Sequence, residues 1–167
     1  RTVTQQKIRT ETMNGAESLV RTLVAGGVKS IPGEDSKRKF VASDEVWIGD
    51  VSESAPEKIA WSQAPAPPIG PFYRMAASQG RTPIIIAGGG DNPYNYNGVG
   101  YDGVPAKPSS KVIAYDAARR NWVIVGDAPP SMDHRGLAAG ENGLYVIGGI
   151  DDGLAVLNTV TRIRTER

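Results

Sequence analysis

The chain has no cysteine, a single histidine and only two phenylalanines among its 167 residues. Without thiols there is no disulfide framework, no thiolate nucleophile and no thiolate-ligated metal. One histidine is too few for a histidine-rich copper or zinc centre. A charge bias is also lacking, since 19 Lys and Arg stand against 18 Asp and Glu. That balance gives no sign of a basic nucleic-acid footprint or an acidic tail. No apolar run approaches the roughly 18 residues that cross a bilayer, and residues 1–12 lack the apolar core of a signal peptide. Because the numbering opens on Arg1, a processed or truncated piece is expected, with any export signal lying before it. Gly88, Gly89 and Gly90 are not followed by the Lys of a phosphate loop, and no strand–G-x-G-x-x-G–helix unit occurs.

What is abundant is turn chemistry. The 20 Gly and 12 Pro make up about a fifth of the chain, which suits a turn-rich all-β protein. An internal repeat then organises most of the length. One copy reads Val46-Trp47-Ile48-Gly49-Asp50, Trp61, Pro67-Pro68, Arg74 and Ile85-Ile86-Ala87-Gly88-Gly89. The second reads Val112-Ile113-Ala114-Tyr115-Asp116, Trp122, Pro129-Pro130, Arg135 and Tyr145-Val146-Ile147-Gly148-Gly149. The tryptophans are 122 − 61 = 61 apart, the arginines 135 − 74 = 61, and the glycine pairs 148 − 88 = 60. The apolar runs 112–115 and 144–147 are β-branched and aromatic, bounded by turn formers, and read as strands. A polar hairpin is expected between Tyr115 and Trp122. Asn158-Thr159-Val160 resembles the starts at Asp44 and Ser110, so a further sheet is expected at the C-terminus.

A third pair, Gly26-Gly27, precedes the next by 88 − 26 = 62 residues, but helical spacing of Ala16, Leu19, Val20, Leu23 and Val24 predicts a helix near 15–25 instead. Asn14 and Glu17 complete a capping-box arrangement, and Gly26 suits its end. Residues 1–34 are accordingly expected to form an extension, and residues 35–167 the repeat domain. The stretch from Asn14 to Leu23, with Gly27-Val28 and Ile31-Pro32-Gly33-Glu34, resembles the opening of thiamine-diphosphate-dependent decarboxylases over about twenty residues. Its expected short strand between Val28 and Ile31 is missing, and no cofactor or activity is carried over.

The order glycine pair, V-x-x-Y-D, tryptophan, proline turn and apolar strand resembles the kelch repeat across roughly residues 40–165. The resemblance implies an all-β fold: a partial β-propeller of two to three four-stranded blades, here with the short N-terminal helix. It implies scaffold roles for Trp61, Trp122, Tyr115, Gly88, Gly89, Gly148 and Gly149. So few blades leave inter-blade faces open, so further blades or self-association are expected.

Three groups carry possible chemistry. The loop after Gly90 contains Tyr94, Tyr96 and Tyr101 among asparagines, which either stack against a sugar ring or pack the loop on itself. Arg74 and Arg135 either face a channel and bind an anion, or bond the carbonyls of a neighbouring blade. His134 lies between Asp133 and Arg135; acid–base chemistry is one reading. Adjacent residues of an extended segment point to opposite faces, however, which favours a solvated or capping role.

Within kelch proteins, residues 84–90, the tyrosine loop and residues 144–149 resemble the bacterial sialic-acid mutarotase group. That resemblance implies a carbohydrate-directed, isomerase-like protein, periplasmic or secreted, using Arg74 or Arg135 for the sugar carboxylate. Tyr94, Tyr96, Tyr101 and His134 complete the expected substrate contacts. The general-base glutamate it implies belongs to a blade not represented here, so binding without catalysis is expected, with no cofactor, metal, nucleic acid or membrane. A non-catalytic protein-interaction module is the alternative, and a fragment without autonomous function a third reading.

Overall fold

The computed structural model describes residues 21–34, 37–52, 55–78 and 83–164. Its strands are β1 (Arg21–Ala25), β2 (Val28–Pro32), β3 (Arg38–Ala42), β4 (Val46–Ser52), β5 (Ala55–Ala64) and β6 (Ala76–Ala77). They continue as β7 (Ile84–Ala87), β8 (Lys111–Asp116), β9 (Asn121–Asp127), β10 (Ala138–Gly140), β11 (Gly143–Ile147) and β12 (Val160–Ile163). Every pairing is antiparallel. Three blade-like sheets follow one another along the chain: β1-β4-β5, β6-β7-β8-β9 and β10-β11-β12. Only the middle one has four strands among the described residues. A separate hairpin, β2-β3, fills the connection between β1 and β4.

The repeat read from the sequence is a repeat of geometry. Trp61 stands opposite Gly49 on the neighbouring strand, and Trp122 stands opposite Tyr115. Gly49 and Tyr115 are each three residues into the run that starts at Val46 or Val112. The tryptophans therefore hold one register in two successive sheets. Trp122 packs on Tyr115, ring centroids 4.7 Å apart, and its indole N–H donates to the Pro65 carbonyl of the preceding sheet at 2.8 Å.

Helix was the wrong reading of residues 21–25. They form β1, paired residue for residue with β4 from Arg21–Asp50 to Ala25–Val46. The remainder of that expected helix lies outside the described residues. The physical reason for the error is the shortness of the segment: Leu23 and Ala25 pack inward while Val24 is exposed, an alternation that five residues cannot distinguish from a helical stripe. A tertiary pairing partner decided between them. No helix occurs among the described residues.

Gly26-Gly27 is thus a third copy of the glycine pair. In all three, both residues have positive φ: 69° and 96°, 66° and 96°, then 63° and 112°. The first glycine of each pair donates to a carbonyl at the start of the next strand of its sheet, that of Glu45, Lys111 or Thr159. The second accepts from Ser43, Ser109 or Leu157. Each pair thereby closes the base of the connection that follows it, whatever that connection contains. Gly27 and Gly89 also donate to Phe72 and Ser131 in the succeeding sheet, at 3.1 and 2.9 Å.

Those bonds across the joints accompany close side-chain fit. Met75 sits between the two glycine pairs of the first joint: a Cβ on Gly26 would meet its Cε at 2.9 Å, and one on Gly89 its Cβ at 3.1 Å. His134 occupies the same place at the second joint, between Gly88 and Gly149. The apolar clusters lie at the joints too. Val46, Ile48 and Ala64 meet Tyr115 at the first, and Ile85, Ala87, Val112 and Ala114 meet Leu137, Leu144 and Val146 at the second.

A methyl at Gly88 would run into the Ser131 carbonyl and force φ = 66° on a residue with Cβ. Gly88→Ala should destabilise the protein by about 2 kcal/mol or more. Gly126→Ala, where nothing lies within 4 Å of the added Cβ, should cost under about 1 kcal/mol. Urea melts of the two variants measure the difference.

Candidate functional site

The candidate residues gather around the segments that precede β6 and β10. Each segment makes an isolated bridge to its sheet's glycine turn, Tyr73 to Gly90 and Met132 to Ile150. The next residue in each, Arg74 or Asp133, has positive φ, 52° and 66°. Counted by backbone geometry, then, the counterpart of Arg74 is Asp133, 133 − 74 = 59 residues on. The sequence alignment that equated Arg74 with Arg135 is corrected by two positions. The last unit has an extra residue before β10, which shifts side-chain identity relative to the backbone frame.

This equivalence brings opposite charges together. Arg74 Nη1 donates to Asp133 Oδ1 at 2.7 Å, with both side chains mostly buried. Burial works against the Arg74 charge, but the Asp133 hydrogen bond and charge, with Tyr73, outweigh it and hold its pKa above the ordinary value. The guanidinium also lies 5.2 Å from the Tyr73 ring centroid and 5.1 Å from that of Tyr94, within cation–π range. Arg135 Nη1 approaches the same Asp133 oxygen at 3.5 Å, and its side chain is exposed. Arg74 is the enclosed cation and Arg135 the accessible one.

The three loop tyrosines do not converge. Tyr94 is fully buried with Ala106, Met132 and Ile150, edge-on to Tyr73 at 5.5 Å. Its hydroxyl lies by Arg74 and Asp133 without a well-formed hydrogen bond among the described residues. Burial, then the Asp133 charge, raise the Tyr94 pKa far above that of a free phenol and keep it protonated. Tyr96 is exposed. Tyr101 leans on Phe40 of β3, centroids 4.9 Å apart, tying this loop to the hairpin inserted in the preceding unit. Asn92 holds the loop from within, donating to Asp102 and to the Val104 carbonyl at 2.8 and 3.0 Å.

His134 is buried, and its Nε2 lies 2.9 Å from Ser131 Oγ. Its backbone N–H donates to the Arg74 carbonyl at 3.0 Å. It does not face the carboxylate of Asp133, which turns to Arg74. The solvated or capping role expected for it gives way to that of a spacer between blades, because its position is the one Met75 fills at the previous joint. No group of three or more His, Asp or Glu suited to a metal ion occurs among the described residues.

Sequence reasoning had set Asp133 aside, although it is the hub of the cluster. Counting back from the glycine pairs misses it by one residue: Arg74 precedes Gly88 by 14 residues, but 14 back from Gly148 is His134 and Asp133 is 15 back, so only the shared positive φ reveals the equivalence. Also missed was a groove of about 600 Å³ at the second joint, with an apolar floor that includes Ile85, Val112, Val125, Gly126 and Ile163 beside the charged Asp127, Arg162 and Arg164. Val112 and Gly126 correspond to Val46 and Ala64, as each pair shares one register across its sheet. The groove therefore repeats the surface that Trp122 covers at the first joint.

Burial lowers the His134 pKa from its ordinary 6.5, more than Asp133 and Ser131 raise it. The folded state thus resists protonation more than the unfolded chain, so stability is full above about pH 6.5 and falls as pH drops below it. Since the sequence has one histidine, His134→Met, copying the first joint, should flatten the stability profile between about pH 5 and 7. Thermal melts across that window test this.

No protein-family model and no curated protein matches the chain. Among solved structures it is similar to that of YjhT, with a TM-score of 0.63 at 15% sequence identity. The match covers 88% of this chain but 40% of YjhT, so the chain spans well under half the length of the structure it resembles. At that identity the likeness concerns the fold. Together with the three successive antiparallel sheets, it makes this chain a β-propeller-like scaffold.

Proposed function

We propose that this chain is a non-catalytic binding scaffold directed at a carboxylate-bearing sugar, of the sialic-acid kind. The observation that supports it most is the charge count of the cluster. Arg74 and Arg135 share the one carboxylate of Asp133, which leaves a net positive charge, with Arg135 open to solvent. A guanidinium's planar donors suit a carboxylate ligand. Tyr96 is the more exposed of the two loop tyrosines that reach solvent, Tyr101 leaning on Phe40, and its ring is free to stack on a sugar. The sequence resemblance to the sialic-acid mutarotase group points to the same ligand class.

Catalysis is left out of the proposal for a physical reason. Exchanging anomers requires a proton donor and acceptor that reach the ring oxygen and the anomeric hydroxyl. Of the titratable groups around the cluster, His134 and Tyr94 are buried, the first against Ser131, and the Tyr73 hydroxyl donates to the Tyr94 carbonyl at 3.2 Å.

A protein-interaction module is the second reading. It is favoured by Val123, Ile124 and Val125, consecutive half-exposed residues on β9 at the edge of the middle sheet. An unpaired strand edge with apolar side chains can accept another strand.

Titration of the labelled protein with N-acetylneuraminate, followed by NMR, tests the first reading. Saturable shifts centred on Asp133 and Arg135 are expected, weakened at least about tenfold by Arg135→Ala and by methyl esterification of the sugar. Shifts that are absent, or equally strong with the ester, would overturn it in favour of the interaction module.

A further inference from the structure

Each joint brings a leading face of one sheet against a trailing face of the sheet before it. The middle sheet shows both faces covered. On its leading side Ile86 and Ile113 are 3% and 0% exposed, and on its trailing side Ala87 and Val112 are 2% and 3% exposed.

The outer sheets present the same positions bare. Counting from the glycine pairs and the strand starts, Ile86 corresponds to Val24 and Ile113 to Trp47. These are 48% and 37% exposed, with Trp61 and Ile59 exposed on the same face. That shared face follows from the register, because Val24 pairs with Trp47, Gly49 with Trp61 and Val51 with Ile59. At the other end Ala87 corresponds to Ile147 and Val112 to Val160, a directly paired couple in both sheets. Ile147 and Val160 are 64% and 62% exposed.

We propose that a second copy of this chain docks head to tail, its trailing face of Ile147 and Val160 on the leading face of Val24 and Trp47. The occupant is identified by continuity with the interfaces already present. What covers a leading face inside the molecule is the trailing face of another blade, twice over, and the described residues carry one bare face of each kind. The contact is heterologous, so it closes into a ring or extends as a filament. Two chains, each with the three blade-like sheets of the described residues, would supply 2 × 3 = 6, inside the roughly four to eight blades of closed propellers. A face-to-face pairing of two leading surfaces would instead set Trp47 against Trp47, a juxtaposition with no counterpart in either joint.

Sedimentation velocity and native mass spectrometry of the whole chain test this. A discrete dimer, or a ladder of larger species, is expected at micromolar concentration. Trp47→Lys and Ile147→Lys should each weaken association at least about tenfold, an unpaired charge in the contact being costly. Their circular dichroism and melting as monomers should be unchanged, since both side chains stand on open faces; Val24→Lys and Val160→Lys serve in their place if either fails to fold. Mixing the two variants should restore a heterodimer, because one keeps an intact leading face and the other an intact trailing face. A wild-type chain that stays monomeric overturns the proposal. So does an oligomer that either variant leaves intact, or a mixture of folded variants that does not recover association.

Discussion

The structure depends on how closely two backbones approach at each glycine pair. With φ values that L side chains rarely adopt, Gly26-Gly27 and Gly88-Gly89 leave their amides and flanks open to the next sheet. Into that space come a carbonyl, from Phe72 or Ser131, and a side chain, Met75 or His134. The apolar faces meet at a spacing set by this contact rather than by their own bulk. Small residues such as Ala25, Ala76, Ala87 and Ala114 can then serve as core, since dispersion contacts need proximity more than size.

The same constraint explains why chemistry and architecture are hard to separate in this molecule. The residues that looked most reactive lie within three positions of the joint: Arg74, Asp133, His134 and Arg135. His134 is held by burial and by Ser131, and Arg74 by Asp133 and two tyrosine rings. Only Arg135, one residue past the spacer, turns its side chain to solvent. Accessibility is therefore rationed by position in the repeat, and the group left exposed is a cation.

Much of this was legible because repeats write structure into spacing. The sixty-residue echo located Trp61, Trp122 and the glycine pairs at matching places in successive sheets, and the start at Asn158 as another. Three things escaped, each for a definite reason. β1 was read as helix because five residues fit both periods and its partner, β4, lies some twenty residues away. The hairpin β2-β3 was invisible as an insertion once the segment before it had been assigned elsewhere. Asp133 was hidden by an extra residue that slid Arg135 into alignment with Arg74. In the tyrosine loop, composition could not tell a binding surface from a packed loop; Tyr94 went inward and Tyr101 onto Phe40, while Tyr96 stayed out.

The hydrogen bonds that pin each glycine pair carry a further consequence. Both feet of the connection that follows each glycine pair are fastened in the same way, by Ser43 to Gly27, Ser109 to Gly89 and Leu157 to Gly149. Between those feet one unit holds a hairpin, the next a tyrosine loop and the last a short turn. Such a mount is indifferent to its cargo. Segments of different length can be exchanged there without altering the spacing of the blades, which makes this rim the place where new surfaces can be grafted onto an old frame.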